Sequence, residues 1–268
     1  MKVRSALPSV IAAGFGVAAL VLASCSSIQR TVMAPPQVEG ATFVGNQACV
    51  DCHRDFTRAF PSSPHARLHL EGVPREQNAG CESCHGPGSL HVKAGGGRGK
   101  FIVNPRREPQ ACLACHIDIH AQLKLPQHHP VLEGRMNCVQ CHDPHGSDIL
   151  KASHRTAFGV RPAVGMARLN ETCAECHREQ SRPFVYQHEA LREGCTMCHQ
   201  PHGSIADKML VQRDNNLCLK CHAQVATATG QIYIGDQSHT EFLSRGSCWS
   251  ARCHTAVHGS NIDRQLRY

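Results

Sequence analysis

One segment in the second half of the chain reads His188-Glu-Ala-Leu-Arg-Glu-Gly-Cys195-Thr-Met-Cys198-His199-Gln-Pro-His202-Gly. It contains a Cys-x-x-Cys-His motif between two further histidines, one upstream and one three residues downstream. This motif is the attachment sequence of c-type haem: the two thiols form thioethers with the haem vinyl groups, and the adjacent imidazole binds the iron. The segment therefore predicts a covalently bound haem with additional imidazoles close to it.

The motif occurs seven times, and an eighth copy, Cys248-x4-Cys253-His254, has two extra residues in its spacer. Together the copies use 16 of the 17 cysteines. Zinc knuckles and redox disulfides also use Cys-x-x-Cys pairs, but neither requires a histidine directly after the second cysteine. We therefore predict eight haems c; for the last motif, a Cys248–Cys253 disulfide in a seven-haem protein is the alternative. The predicted thioether ligands are Cys49, Cys52, Cys81, Cys84, Cys112, Cys115, Cys138, Cys141, Cys173, Cys176, Cys195, Cys198, Cys218, Cys221, Cys248 and Cys253, and the predicted proximal iron ligands are His53, His85, His116, His142, His177, His199, His222 and His254.

The composition agrees with an interior filled by porphyrin. Leu, Ile, Val and Phe make up 55 of the 268 residues, a fraction at which a chain rarely buries enough apolar surface to fold. We predict a mostly irregular chain with short α-helices and little or no β-structure, wrapped around an extended row of haems. The formal net charge is +7, and the basic residues are scattered over the chain. We therefore interpret them as partners of haem propionates and predict no nucleic-acid binding.

Twelve of the 20 histidines lie outside the motifs, and an internal repeat selects eight of them. Each copy of the repeat has one histidine before a haem motif and one after it. His145 and His202 follow a motif histidine by three residues, so each is expected to bind a neighbouring haem rather than the far face of its own. The predicted distal ligands are His65, His91, His128, His145, His188, His202, His239 and His258; His129 is the alternative to His128, and His69, His120, His129 and His154 are predicted to contact solvent or propionates.

The start of the chain has the pattern of an export signal. Lys2 and Arg4 precede an uncharged segment, residues 5–24, which ends in Leu-Ala-Ser before Cys25. This ending resembles the lipobox of bacterial lipoproteins, in which the cysteine is acylated, and Ser26 at the next position resembles the outer-membrane sorting pattern. An uncleaved transmembrane anchor is the alternative. We predict a signal peptide over 1–24, a flexible tether over 25–47 after an acylated Cys25, and an octahaem cytochrome c domain over 48–268.

Several longer units carry a family resemblance. The segment Gly80-Cys81-Glu-Ser-Cys-His-Gly-Pro-Gly-Ser-Leu-His91, the two Cys-x-x-Cys-His-x-Pro-His-Gly units and the His-x5-Gly segments before motifs resemble the MtrA/DmsE family of periplasmic multihaem cytochromes and the broader paired-CxxCH cytochromes. The resemblance covers roughly residues 46–259. It implies a haem wire that receives electrons in the periplasm and, in some members, lies in an outer-membrane porin and reduces surface cytochromes. Members carry ten haems, whereas this chain has eight motifs, a lipobox and a stretched last motif.

These observations predict an electron carrier rather than an enzyme. Two histidines on every iron leave no position for a substrate. The predicted location is the outer membrane, with a lipid anchor and the haem domain facing the periplasm. The predicted partners are other redox proteins, namely a periplasmic or inner-membrane donor and an outer-surface cytochrome acceptor, with a porin as a further candidate. The alternatives are a multihaem reductase of a small nitrogen or sulfur oxyanion and a subunit of a cytochrome polymer.

Overall fold

The computed structural model describes residues 31–32, 35–70, 80–146, 163–249 and 253–268. Cys25, the predicted signal peptide and His154 lie outside these ranges. Within them the chain is mostly irregular, with short helices and very short strands, which confirms the predicted fold class. No helix in the described ranges is long and apolar enough to cross a membrane.

The helices are mostly a single turn. They span α1 Gln47–Val50, α2 Arg54–Ala59, α3 Glu82–His85, α4 Ser89–Lys93, α5 Gln110–Leu113, α6 Ile117–Gln122, α7 Ala163–Ala174, α8 Arg178–Ser181 and α9 Asn215–Cys218. Single 3₁₀ turns cover Phe60–Ser62, Pro64–Arg67, Cys138–Gln140, Glu189–Glu193, Cys195–Met197 and Asp207–Met209. Helices this short are unstable alone in water, so contacts with the rest of the molecule must hold them.

Each haem motif closes the same backbone turn. The amide of the motif histidine donates to the carbonyl of the first cysteine, as in His53 to Cys49 at 3.0 Å and His177 to Cys173 at 2.9 Å. The stretched motif closes this bond as well, from His254 to Cys248 at 3.0 Å. Its two extra residues therefore leave the ends of the turn in the regular arrangement.

The strands have two or three residues each. They are β1 Thr31–Val32, β2 His69–Leu70, β3 Gln127–His128, β4 Tyr186–Gln187, β5 Gly203–Ser204, β6 Gln224–Ala226, β7 Ile232–Ile234, β8 Gln237–Ser238 and β9 Gly259–Ser260. β1 and β2 pair in parallel, β3 pairs antiparallel with β5 and β4 with β9, and β6, β7 and β8 form an antiparallel meander.

Two of these strand pairs require glycine. A Cβ on Gly203 would lie 2.0 Å from the backbone oxygen of Gln122, and a Cβ on Gly259 would lie 2.5 Å from the ring of Phe184. Both glycines directly follow a predicted distal histidine. The close approach of the backbone at these points therefore fixes the backbone position from which each preceding histidine side chain extends.

The side-chain core is very small. Within the described ranges, the buried hydrophobic residues are Leu113, Leu123, Leu169 and Ala206. Burying a large aliphatic side chain contributes about 2 kcal/mol, whereas ordering one residue costs about 1–2 kcal/mol of backbone entropy. These side chains cannot offset that cost for the whole chain, so another apolar component is needed inside it.

The last part of the predicted tether is bound rather than free. The amides of Val44 and Gly45 donate to the carboxyl group of Glu82 at 3.0 and 2.8 Å, and the amide of Thr42 donates to Ser89 Oγ at 2.8 Å. Residues 42–45, which belong to the predicted tether, are thus held against the segment of the second haem motif. Sequence reasoning missed these contacts because a short Gly- and Thr-containing segment has no pattern that indicates which distant residues it binds.

Candidate haem sites

Each of the eight motif histidines faces one other histidine. The ring centroids of the facing partners are 6.0 to 6.5 Å apart. A bond of about 2 Å between a metal and an imidazole nitrogen puts the ring centroid about 3 Å from the metal, so two axial imidazoles on one metal lie about 6 Å apart. The partners are His53–His91, His85–His145, His116–His65, His142–His202, His177–His129, His199–His258, His222–His188 and His254–His239.

The ring orientations also suit axial ligation. Six of the facing pairs are close to parallel, with interplanar angles of 11 to 21°. The rings of His177 and His129 are inclined at 57°, and those of His116 and His65 at 80°. Both arrangements leave room for an iron between two ring nitrogens. Within the described ranges no group of three or more His, Cys, Asp or Glu side chains is arranged so that it could hold a metal ion.

Backbone carbonyls orient many of these rings. Nδ1 of His85 lies 3.0 Å from the oxygen of Val103, and Nδ1 of His188 lies 2.9 Å from that of Val257. A ring that donates its Nδ1–H to a carbonyl presents the Nε2 lone pair to a metal. The same contact is made by His91 to Lys100, His199 to Lys208, His239 to Gln237 and His254 to Gln265.

Burial keeps several rings in the neutral form that binds iron. It lowers the pKa of His85, His145, His202, His222 and His258. A protonated imidazole has no lone pair for a metal, so a lowered pKa removes competition from protons.

The structure differs from the prediction at one histidine. His129, and not His128, faces the motif histidine His177. Both ring nitrogens of His128 are engaged, Nδ1 with the oxygen of Leu125 at 2.5 Å and Nε2 with Glu133 at 2.9 Å. The carboxylate of Glu133 raises the pKa of His128.

The reason for this difference lies in strand register. β3 aligns His128 with Gly203, and β4 aligns Gln187 with Gly259, so His129 corresponds to His188. One sequence signal could have found it. A Leu or Phe stands three positions after each facing upstream histidine, at Leu68, Leu132, Leu191 and Phe242, whereas Val131 occupies that position after His128.

The cysteine thiols connect the motifs into a row. We number the sites 1 to 8 by motif order. The first cysteines of a pair of sites (1 and 2, 3 and 4, or 5 and 6) lie close enough for one thiol to raise the pKa of the other, as Cys81 does for Cys49, Cys138 for Cys112 and Cys195 for Cys173. In the last pair, sites 7 and 8, burial and then Cys248 raise the pKa of Cys218. Second cysteines join successive pairs: Cys84 lies near Cys115, Cys141 near Cys176, and Cys198 near Cys221. All 16 motif cysteines are free of disulfides, including Cys248 and Cys253.

Comparisons with known proteins agree with this arrangement. The family profile of the doubled CXXCH motif matches residues 128–182 and 188–227, and that of cytochrome c554 and c-prime matches residues 24–86. The chain is 31% identical over 226 residues to the multiheme cytochrome MtrA of Shewanella baltica, which covers 81% of this chain and 58% of MtrA. The chain is a multihaem c-type cytochrome of the MtrA type. Its cofactor is haem c, as the motifs predict.

Two further relatives are more distant. The polyheme cytochrome OmcB of Geobacter sulfurreducens is 27% identical over 164 residues, which are 60% of this cytochrome and 18% of OmcB. The cytochrome c-type protein NrfH of Wolinella succinogenes is 27% identical over 126 residues, which are 37% of this chain and 70% of NrfH. The chain thus spans a little over half of the MtrA relative and a small part of OmcB.

Neighbouring pairs of sites in the cytochrome exchange histidines. The segment of sites 5 and 6 supplies His202 to face His142 of site 4, and the segment of sites 3 and 4 supplies His129 to face His177 of site 5. This junction is held by β3 and β5, and by Nδ1 of His129 on the oxygen of Pro201 at 2.5 Å.

The other two junctions repeat the exchange. His188 and His258 cross between sites 5–6 and sites 7–8, with a hydrogen bond of 3.3 Å from the amide of His188 to the oxygen of His258. His65 and His145 cross between sites 1–2 and sites 3–4, where Ser63 Oγ donates to the oxygen of Pro144 at 2.7 Å. The two ends differ, since His91 at site 1 and His239 at site 8 come from their own pairs.

Asparagines connect the two motifs inside three of the four pairs. Each stands three residues before the first cysteine of an odd-numbered motif, and its Oδ1 accepts the amide of the first cysteine of the next motif. The distances are 2.9 Å from Asn46 to Cys81, 3.0 Å from Asn170 to Cys195 and 2.8 Å from Asn215 to Cys248. Pro109 takes this position before motif 3, so sites 3 and 4 lack the bond. Sequence reasoning missed these residues, although the recurring Asn-x-x-Cys spacing was visible.

Of the histidines outside the facing pairs, His120 lies in α6 and His69 in β2. Their contacts with solvent or propionates stay a prediction.

Proposed function

We propose that the cytochrome binds eight haems c, each between two histidines, and carries electrons along them in motif order. The observation that supports this most strongly is the set of facing histidine pairs, one for each motif, at a separation that suits two axial ligands. The proximity of cysteines in successive motifs would place each haem edge beside the next.

The protein's own residues would have two tasks at each site. The cysteines would attach the haem covalently, and the motif histidine and the facing histidine would both bind its iron. When bound, each haem supplies an iron that accepts and releases one electron. An iron held by two imidazoles would have no place for a small ligand, which favours electron transfer over the reduction of an oxyanion.

Haem count and coordination provide the main test. Intact-mass measurement of the holo-protein should give eight covalent haems, and its electron paramagnetic resonance spectrum should contain low-spin ferric signals only. Seven haems with a Cys248–Cys253 bridge would contradict the eighth site. Binding of one equivalent of carbon monoxide to the fully reduced protein would contradict complete bis-histidine ligation and favour the reductase.

We also propose that the chain is exported and held at the outer membrane. The support is the sequence pattern of residues 1–24 with Cys25 directly after Leu-Ala-Ser. Acylation at this cysteine supplies a stable anchor because more than one acyl chain is attached. The partners would be other redox proteins, a periplasmic or inner-membrane donor and an outer-surface cytochrome, with a porin as a further candidate.

The anchor can be tested separately. Cys25→Ser should move the cytochrome from the membrane fraction to the soluble periplasmic fraction, with its haem content unchanged. If the variant stays in the membrane fraction to the same extent as the wild type, acylation of Cys25 is not what holds it there.

A further inference from the structure

The second residue of the haem motif is charged at one site alone. Seven motifs have an uncharged residue there, whereas motif 2 has Glu82. This carboxyl group is among the most deeply buried in the described chain, with 2% of the residue exposed. The uncharged residues at the equivalent position are Val50, Leu113, Val139, Ala174, Thr196, Leu219 and Trp249.

In the parts of the chain that the structure describes, the hydrogen-bond partners of Glu82 are all backbone amides. Oε1 accepts from the amides of Val44 at 3.0 Å and Gly88 at 2.8 Å, and Oε2 accepts from the amide of Gly45 at 2.8 Å. Both oxygens therefore act as acceptors, which is the bonding pattern of an ionised carboxylate. In the described ranges no Lys, Arg or His lies within ion-pair distance of this group.

The charge lies beside the attachment points of two haems. Glu82 directly follows Cys81 of site 2. It also accepts the amide of Gly45, whose oxygen in turn accepts Sγ of Cys49 at site 1 at 3.8 Å. The side chain of Cys81, then burial, and to a smaller extent the charge of Glu82 raise the pKa of the Cys49 thiol. The carboxylate is thus close enough to act electrostatically on both sites of this pair.

We propose that Glu82 lowers the reduction potentials of the first two haems, and of haem 2 most strongly. This inference rests on the proposed function. An oxidised haem iron carries one more positive charge than a reduced one, and a buried carboxylate stabilises the more positive form. The effect is large because the group is shielded from water, where charges interact weakly. Electrons would then move more easily from this end of the row towards site 3 than back.

The variant Glu82→Gln tests the charge at nearly constant size. Potentiometric titration followed by visible and electron paramagnetic resonance spectra should show two of the haem potentials rising and the others unchanged. Haem 2 can be identified in the variant His145→Met, because methionine ligation raises the potential of the haem that receives it. Unchanged potentials in a fully loaded Glu82→Gln protein would overturn the proposal.

Loosening of the N-terminal segment is the competing explanation, and Ser89→Ala is its control. Ser89 Oγ accepts the amide of Thr42, so this variant weakens the same segment without removing a charge. It should leave all potentials in place. If it shifts the first two potentials as much as Glu82→Gln does, the effect is structural and the proposal fails.

A second variant adds the charge elsewhere. Thr196→Glu puts a carboxylate at the equivalent position of motif 6, where the residue is half-buried. The potential of haem 6 should fall, by less than Glu82 lowers that of haem 2, because water screens the new charge. No change in a loaded protein would show that this position does not control the potential. Haem loading, read from the intact mass, is independent of these shifts, so incomplete loading of the wild type would count against the proposed function instead.

Discussion

The junctions inside the row and the two ends of the row are built differently. At each of the three junctions two histidines cross in opposite directions, such as His202 to site 4 and His129 to site 5. At the ends, His91 and His239 stay within their own pairs. Under the proposed ligation, each inner pair therefore depends on its neighbours for iron ligands, whereas sites 1 and 8 are completed by their own pairs. A local change should spread across a junction but remain confined at an end.

The largest expected effect comes from blocking a junction. Gly203→Ala puts a Cβ about 2.0 Å from the oxygen of Gln122, so β5 must move away from β3. We expect a loss of stability of more than about 3 kcal/mol and the loss of a ligand at both sites 4 and 5. Denaturant unfolding and the high-spin ferric signal would measure this.

Gly235→Ala is the control for this variant, because a Cβ there meets nothing within 4 Å. Its positive φ of 60° costs about 1 kcal/mol, without a change in spin state. Wild-type spectra for Gly203→Ala would show that the pairing of β3 with β5 is not what brings the histidines of this junction to sites 4 and 5.

A single-ligand comparison tests whether each distal histidine serves one haem only, both at an end and at a junction. His239→Ala should convert haem 8 alone to a high-spin, carbon monoxide-binding form. His202→Ala should convert haem 4 in the same way, although His202 itself lies in the segment of sites 5 and 6. Magnetic circular dichroism and carbon monoxide titration should find one equivalent in each case. Two equivalents for His239→Ala would mean that the end is not self-contained.

A smaller effect is expected at an asparagine of the last pair. Asn215→Ala removes the acceptor for the amide of Cys248 and the donor to the oxygen of Gly246. The loss should be about 1–2 kcal/mol, the range for a hydrogen bond whose partner stays partly buried. Asn215→Asp keeps the acceptor and should recover part of the stability in thermal unfolding. The exposed neighbour Asn216 supplies the control Asn216→Ala, which should be neutral.

The smallest effect is expected at His128. His128→Ala removes a surface contact with Glu133 and should leave every haem low-spin, while His129→Ala should make haem 5 high-spin. Electron paramagnetic resonance of the two variants decides between the neighbouring histidines. A high-spin signal from His128→Ala but not from His129→Ala would show that His128 is the ligand, as the repeat in the sequence predicts.

The haem motifs, the irregular fold and most of the facing histidines could be predicted because they depend on local spacing. Cys195, Cys198 and His199 form one turn whatever the rest of the chain does. His128 and His129 could not be separated this way, since the register of β3 is set by β5, a segment about 75 residues away in the chain. The contacts of Glu82 with Val44 and Gly45 were hidden for the same reason.

The crossing of histidines also determines how such a chain can change in length. Each inner pair gives one histidine backwards and one forwards and receives one from each side, so every inner pair presents the same two connections. A further pair can be inserted between two existing ones, or an inner pair removed, without leaving an iron short of a ligand. A single motif cannot be inserted or removed in this way, because the change would leave one donated histidine without a site. Relatives built on this plan should therefore gain or lose haems two at a time, and a row of ten would contain one more inner pair than this one.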